Sequence, residues 1–297
     1  MIVFLVAQVL ELHGDLLVMV WASNVPSAGG WGLSGRRPPR YATRMSVRLL
    51  ALTCGWLTGP RALFVEGAKG SVRVPVPVFV IEHPRGRVLF DSGMHRDLQT
   101  DPKTRLGAVA AVFTPHFDAG EEVAARLAAV EIDVAGVHYL VNSHLHFDHA
   151  SGNVAVPNAT VVVQRREWEA AHDEAGIVAN NYTPEDFDTG QPRLEVDGEH
   201  DLFGDGRVIC LPTFGHTPGH QSLLVRLDGG DVVLAADACY FRETLEELRL
   251  PMVVHDPVAM MASLHRLRAL AAVGTRIVYG HDPESWATMP QAPVAIT

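Results

Sequence analysis

Between residues 143 and 153 the chain reads Ser-His-Leu-His-Phe-Asp-His-Ala-Ser-Gly-Asn, which puts His144, His146, Asp148 and His149 within six positions. Imidazole and carboxylate groups are natural ligands of zinc and similar first-row metals. A His-x-His on extended chain points both rings the same way, because strand side chains repeat every two residues. The acid and the third histidine then lie where the chain turns toward a helix, able to face a second ion. Three further ligand-type residues stand where apolar strands end. His216 lies in Thr-Phe-Gly-His-Thr-Pro-Gly-His, Asp237 follows the run Val232–Ala236, and His281 follows Ile277–Tyr279 through a glycine. Loops at the ends of a rigid scaffold are where site residues concentrate. Each of these alone has an ordinary structural explanation, as a surface histidine or a turn-capping acid. Together the seven residues suit two metal ions sharing a bridging carboxylate.

The elements that must position them can be read from pattern. Extended apolar runs cover 46–52, 74–82 and 87–90, the last two joined by His-Pro-Arg-Gly, a hairpin signal. Pro75 and Pro77 restrict the first half of their run to a sheet edge. Val123, Leu127 and Val130 predict an amphipathic helix over 120–130. Strands follow at 137–142 and 160–164, then a helix from Arg165 to about His172. Residues 173–200 read as a long irregular stretch, of the kind that borders a site. Strands at 207–212, 222–227 and 231–236 come next. Asp256-Pro257 predicts the start of a helix reaching Ala272, with Met261, Leu264, Leu267 and Leu270 on its apolar stripe. A closing strand covers 276–279. Strands followed by a helix in each half predict two α/β layers packed sheet to sheet with helices outside.

Hydrophobic residues make up 47% of the chain and charged residues 20%, which fits a globular protein. A net charge of −10 and the lack of any Lys/Arg cluster speak against a nucleic-acid partner. Cys54, Cys210 and Cys239 are odd in number and widely spaced, so neither a disulfide framework nor a zinc knuckle is indicated. That usage predicts a reducing cytoplasm. Residues 1–44 contain no apolar run of ~20 residues and no positive charge ahead of Ile2. They are expected to be a disordered extension, from an upstream start site or, as the lesser alternative, an export signal. The folded part is then one domain over 45–297.

The order H-x-H-x-D-H, then His, then Asp, then His, resembles the metallo-β-lactamase superfamily. The resemblance covers 45–297 with all seven positions occupied, and Asp91-Ser92-Gly93 resembles that family's Asp-Thr-Gly turn. It implies a four-layer αββα sandwich of two mixed sheets with outer helices. It also implies that His144, His146 and His216 hold one ion, and that Asp148, His149 and His281 hold the other, with Asp237 bridging. Zinc is the first expectation, with iron(II), cobalt or manganese as alternatives. More closely, His144-Leu-His-Phe-Asp-His-Ala, His216-Thr-Pro-Gly-His-Gln-Ser-Leu and Asp237-Ala-Cys-Tyr240 resemble the N-acyl homoserine lactonases.

By that resemblance the chain is a carboxylic ester hydrolase whose metal-bridging hydroxide opens the lactone ring of a small-molecule quorum signal. Tyr240 would contact the substrate carbonyl, Asp148 would shuttle a proton to the leaving ring oxygen, and Phe147 would face the pocket. Core packing is the competing explanation for both aromatics. His220 would orient a ligand or its loop, while His172, His200, His255 and His265 read as surface. An acyl groove would draw on Phe147, Trp56, Leu57 and the 104–115 stretch with Phe113. The resemblance further implies a homodimer, and the lack of an apolar run of ~20 residues predicts no stable membrane insertion. Its rivals are another lactone hydrolase or a glyoxalase-II-like thioester hydrolase on the same core and, from a different class, an inactive metal-binding module. The thioester reading wants a basic C-terminal helical region, which the 16 residues after His281 do not supply.

Overall fold

In a computed structural model, residues 46–297 are described. The expected extension over 1–44 lies outside the described residues. The first sheet contains β1 (Arg48–Pro60), β2 (Ser71–His83), β3 (Gly86–Phe90), β4 (Thr114–His116), β5 (Val137–Val141), β6 (Thr160–Gln164) and β7 (Arg193–Val196). The second contains β8 (His200–Asp201), β9 (Val208–Pro212), β10 (Gln221–Leu227), β11 (Gly230–Leu234) and β12 (Arg276–Val278), and β13 (Ala295–Ile296) returns to the first. The first sheet runs β13-β1-β2-β3-β5-β6-β7, with β4 also on β1, and the second runs β12-β11-β10-β9-β8. Pairing is antiparallel from β1 to β3 and parallel from β3 to β7. In the second sheet only β11 and β12 pair parallel.

Strand alternation explains the layers. Leu49, Ala51, Phe79, Ile81, Val88 and Phe90 meet Val208, Cys210, Leu223, Val225, Val232 and Leu234 between the sheets. Their neighbours Leu50, Leu52, Val78, Val80 and Leu89 point the other way, onto Val123 and Leu127 of a helix. Leu224 and Val233 likewise leave the second sheet's outer face for Leu264 and Leu267. Both faces of each sheet are buried, so the strands read as nearly continuous apolar runs. The expected four layers are therefore present.

The helices are α1 (Pro102–Leu106), α2 (Val123–Ala128), α3 (Phe147–Ala150), α4 (Arg165–Ala170), α5 (Glu174–Asn180), α6 (Pro184–Phe187), α7 (Arg242–Glu247), α8 (Pro257–Ala272) and α9 (Pro283–Ala287). Helix α8 begins as expected, with the Asp256 carboxylate accepting from the Val258 and Ala259 N–H groups. Its buried stripe is Met260, Ser263, Leu264 and Leu267, one residue off the expected Met261. Helix α2 is shorter than 120–130: Gly120 has a positive φ and Glu122 is extended before its start, and Glu131 takes a left-handed backbone shortly after its end. The stretch 173–200 is not irregular. It holds α5, capped by Asp173, then α6 with Pro184 in its first turn, then β7. Those cap signals were present, but helices of seven and four residues carry almost no periodicity.

The proline strand behaves as its composition requires. At Pro75 and Pro77, β2 pairs with β1 alone, and β3 joins only from Phe79 onward. Between Thr53 and Trp56, β1 carries a bulge at Cys54-Gly55, where Gly55 has φ +92°. An extra residue reverses the facing of everything after it. Trp56 consequently packs against the inter-sheet core, while Leu57 turns outward into the cavity described below.

Candidate metal centre

All seven candidate ligands sit where strands run out at one end of the sandwich. β5 leads into His144 and His146, and α3, starting at Phe147, carries Asp148 and His149. His216 stands on the loop between β9 and β10, Asp237 follows β11, and His281 follows β12. Open α/β sheets place their ligands at such carboxyl ends. Two groups result: His144, His146, His216 and Asp237, and beside them Asp148, His149 and His281, each with its ligand atoms within 4.8 Å of one another.

Asp237 lies between the groups. Its Oδ2 is 3.3 Å from His216 Nε2 and 3.8 Å from His144 Nε2. Its Oδ1 is 3.2 Å from both His149 Nε2 and His281 Nε2. Asp148 Oδ2 is 3.6 Å from the same two nitrogens. His146 Nδ1 stands 2.9 Å from His144 Nε2 and 3.0 Å from His216 Nε2. Nitrogens and oxygens thus converge without satisfying one another. Among the described residues, His149 Nε2 and Asp237 Oδ1 are buried and lack any aligned hydrogen bond. Orphaned donor atoms of this kind fit a cation.

The far side of each ring is tied to the protein, which sets its orientation and tautomer. His146 Nε2 donates to the Asn180 carbonyl at 2.8 Å, and His281 Nδ1 donates to the Pro75 carbonyl at 2.8 Å. His149 Nδ1 donates to Asp91 Oδ2 at 2.8 Å, and His144 Nδ1 is 3.0 Å from Ser143 Oγ. His216 Nδ1 is 3.2 Å from the Tyr240 hydroxyl. Burial holds His144 and His216 well below the ordinary imidazole range, and His146 below it, so these rings are neutral lone-pair donors. Burial also opposes charge on His149 and His281, but there Asp237 and Asp148 outweigh it and raise both. Asp237 and Asp148 together favour positive charge at that spot.

One contributor, Asp91, shows in the sequence only as part of a turn. Its Oδ1 accepts from the Ser143 N–H at 2.7 Å and its Oδ2 holds His149, with φ +60° at Asp91 itself. His220 is wholly buried; its Nε2 accepts from the Asp237 N–H at 3.1 Å while Nδ1 faces Thr213. Burial pushes His220 down to about 3, so it stays neutral and fixes the Asp237 backbone, the orienting role expected of it. His172, His255 and His265 are exposed and His200 half-buried, outside both groups. Gly215 has φ +128°, and a Cβ there would stand 2.1 Å from the Met260 nitrogen. Gly215→Ala should therefore destabilise the protein by about 3 kcal/mol, from overpacking and backbone strain together, read as a lower urea midpoint.

A cavity of about 380 Å³ opens over the two groups, and Phe147, Asp148, Asp237 and Tyr240 line it. Tyr240 is also packed edge-on against Phe64, with ring centroids 5.2 Å apart, and Phe147 leans on Phe113 at 6.3 Å. Both aromatics thus face the cavity while packing in the core. Leu57, Val109 and Phe113 form an apolar wall as expected, joined by Leu63, Phe64 and Val253, which were not anticipated. Trp56 is not part of it, because the β1 bulge turns it to the opposite face.

A family model described as the metallo-beta-lactamase superfamily matches residues 72–281. The chain is 38% identical over 235 residues to an N-acyl homoserine lactonase of Azorhizobium caulinodans, covering 77% of this chain and 89% of that protein. It is 30% identical over 219 residues to an N-acyl homoserine lactonase of Bacillus thuringiensis subsp. kurstaki, covering 72% and 83%. Among solved structures, an N-acyl homoserine lactone hydrolase with N-hexanoyl-L-homoserine bound at its catalytic metal centre superposes with a TM-score of 0.76. That structure is 29% identical, and the match covers 85% of this chain and 100% of the other.

Proposed function

Because the chain belongs to the metallo-β-lactamase superfamily and, within it, to the N-acyl homoserine lactonases, we infer that it is a metal-dependent hydrolase opening the lactone ring of N-acyl homoserine lactones. That reaction silences quorum signals. The observation that carries the reading is the Tyr240 hydroxyl, set in the same cavity as both ligand groups and beneath an apolar wall.

His144, His146 and His216 would hold one divalent cation and Asp148, His149 and His281 a second, with one oxygen of Asp237 turned to each. Imidazole and carboxylate donors favour zinc, with iron(II) or cobalt as substitutes. Bound divalent cations supply Lewis acidity and lower the pKa of a coordinated water toward neutrality. The chain's own residues do the rest. With His216 Nε2 turned to the ligand group, its Nδ1 carries the proton and donates to the Tyr240 oxygen, leaving the tyrosine's hydrogen free for a substrate oxygen. Burial, reinforced by Asp237 and Asp148, holds Tyr240 well above the ordinary phenol range, so it remains a donor. Such a donor stabilises charge where it develops on the lactone carbonyl. Asp148 faces the cavity, where it would take a proton from the attacking water as the water oxygen bonds to the carbonyl carbon, and pass it to the ring oxygen as the acyl C–O bond breaks. Water is consumed and the open N-acyl homoserine results.

The acyl chain lies against Leu57, Val109, Phe113 and Phe147. Phe113→Ala should raise KM for a decanoyl substrate by about tenfold, the scale of lost pocket contacts, with butanoyl turnover nearly unchanged. Equal effects on both would remove Phe113 from the groove. The working unit is the domain over 45–297, acting as a homodimer. Cys54, Cys210 and Cys239 are free and buried, which supports a cytoplasmic setting. Among the described residues, no helix is long and apolar enough to cross a membrane. The deciding experiment incubates zinc-loaded protein with acyl homoserine lactones of several chain lengths and follows proton release. Turnover of a glutathione thioester with none of any lactone would replace this reading by the thioester one.

A further inference from the structure

Glu167, on α4, is wholly buried and does not line the cavity. Its Oε1 accepts from the Leu145 N–H at 3.1 Å and from the Tyr182 hydroxyl at 2.8 Å, and its Oε2 accepts from the Gly219 N–H at 2.7 Å. Two of these donors come from the segments that carry His144, His146 and His216, and the third from the segment that holds His146 in place. Leu145 lies between His144 and His146. Gly219 closes the loop of His216. Tyr182 follows by two residues Asn180, whose carbonyl holds His146. A Cβ on Gly219 would stand 2.4 Å from the Glu167 nitrogen, so that loop lies flat on α4 with no room for a side chain. Burial raises the Glu167 carboxyl, and the three donors aimed at it act the other way, in favour of its ionised form. Among the described residues, no Lys, Arg or His pairs with it within 4.0 Å. A cation held by the adjoining His144, His146 and His216 would be the countercharge that this carboxylate lacks.

We propose that Glu167 is a positioning residue that joins the two loops of the His144–His146–His216 group and lends that group the negative charge which sets its cation affinity. The proposal rests on the metal-site reading above. It makes the two cation sites unequal in their dependence on α4, since among the described residues no hydrogen bond joins Asp148, His149 or His281 to Glu167.

The test uses the full chain with zinc alone and with cobalt(II) alone. In Glu167→Gln one carboxylate oxygen becomes an NH2, which cannot accept from a backbone N–H. Chelator competition should show one of the two zinc affinities weakened about 10- to 100-fold, as for other lost partners of metal ligands, with the second within about threefold. The visible bands of the cobalt protein should shift, and saturating zinc should restore turnover with KM unchanged. Tyr182→Phe, which removes one donor and keeps the carboxylate, should shift the same bands less. It keeps the question open to measurement if Glu167→Gln does not fold. Wild-type affinities and an unchanged cobalt spectrum in either folded variant would overturn the proposal. So would a parallel fall of both affinities with a lower melting temperature of the metal-free protein, which marks a purely structural role. Wild-type protein that binds two cations but opens no lactone would overturn the function and leave Glu167's role standing. Failure to bind zinc or cobalt at all would sink both.

Discussion

Asp237→Asn should abolish lactone opening, lowering kcat/KM by roughly 10³-fold or more, and should leave the purified protein largely free of metal. The aspartate turns one oxygen to His144 and His216 and the other to His149 and His281, with distances of 3.2 to 3.8 Å. Asparagine offers one acceptor and no charge, so its amide nitrogen must face one pair of imidazoles. Loss of a mere partner of a metal ligand already costs about 10- to 100-fold in affinity. Loss of the only carboxylate shared by both groups should cost at least the upper end of that range. Elemental analysis gives the metal content directly. Zinc added to the wild type should raise its melting temperature by binding only the folded state, and that rise should vanish in the variant. Full metal occupancy with turnover within tenfold of wild type would mean that Asp237 does not bridge.

The second large effect separates chemistry from packing at one side chain. Tyr240→Phe should lower kcat about 10²- to 10³-fold, as for other lost oxyanion donors, with metal content and KM close to wild type. The phenyl ring keeps the contacts with Phe64 and His281, whose ring centroids lie 5.2 and 5.7 Å away. Only the hydroxyl goes, and it touches the far nitrogen of His216 rather than the ligating one. If Tyr240 mattered as packing alone, Phe would be silent. Turnover within about threefold of wild type would assign it that role and remove the main support for its place in the mechanism.

Much of this molecule is legible in one dimension, for a physical reason. Ligand chemistry is a property of single residues, so His144, His146, Asp148 and His149 announce a metal site before any fold is known. The core strands are legible because β1, β2 and β3 are buried on both faces, which makes them apolar at nearly every position. Asp256-Pro257 is legible because a cap acts within three residues. Short elements are not: α5, α6 and β13 carry too few turns or alternations to rise above background, and tertiary contact holds them. The groove shows the same limit. Trp56 and Leu57 look equivalent in sequence, and one bulge sends them to opposite faces.

The inventory can be read along the chain: seven candidate ligands of the right types, the tyrosine, and two sheets' worth of nearly continuous apolar strands. The pairing cannot, because it depends on the fold. Asp91 reaches His149 across 58 residues, Glu167 reaches Gly219 across 52, and the Pro75 carbonyl reaches His281 across 206. Such contacts leave no local trace, because neither partner needs an unusual neighbour in the chain. They form only when strand ends from distant segments are brought to one edge of the sandwich. There each ring makes the hydrogen bond that fixes which nitrogen turns toward its group of candidate ligands.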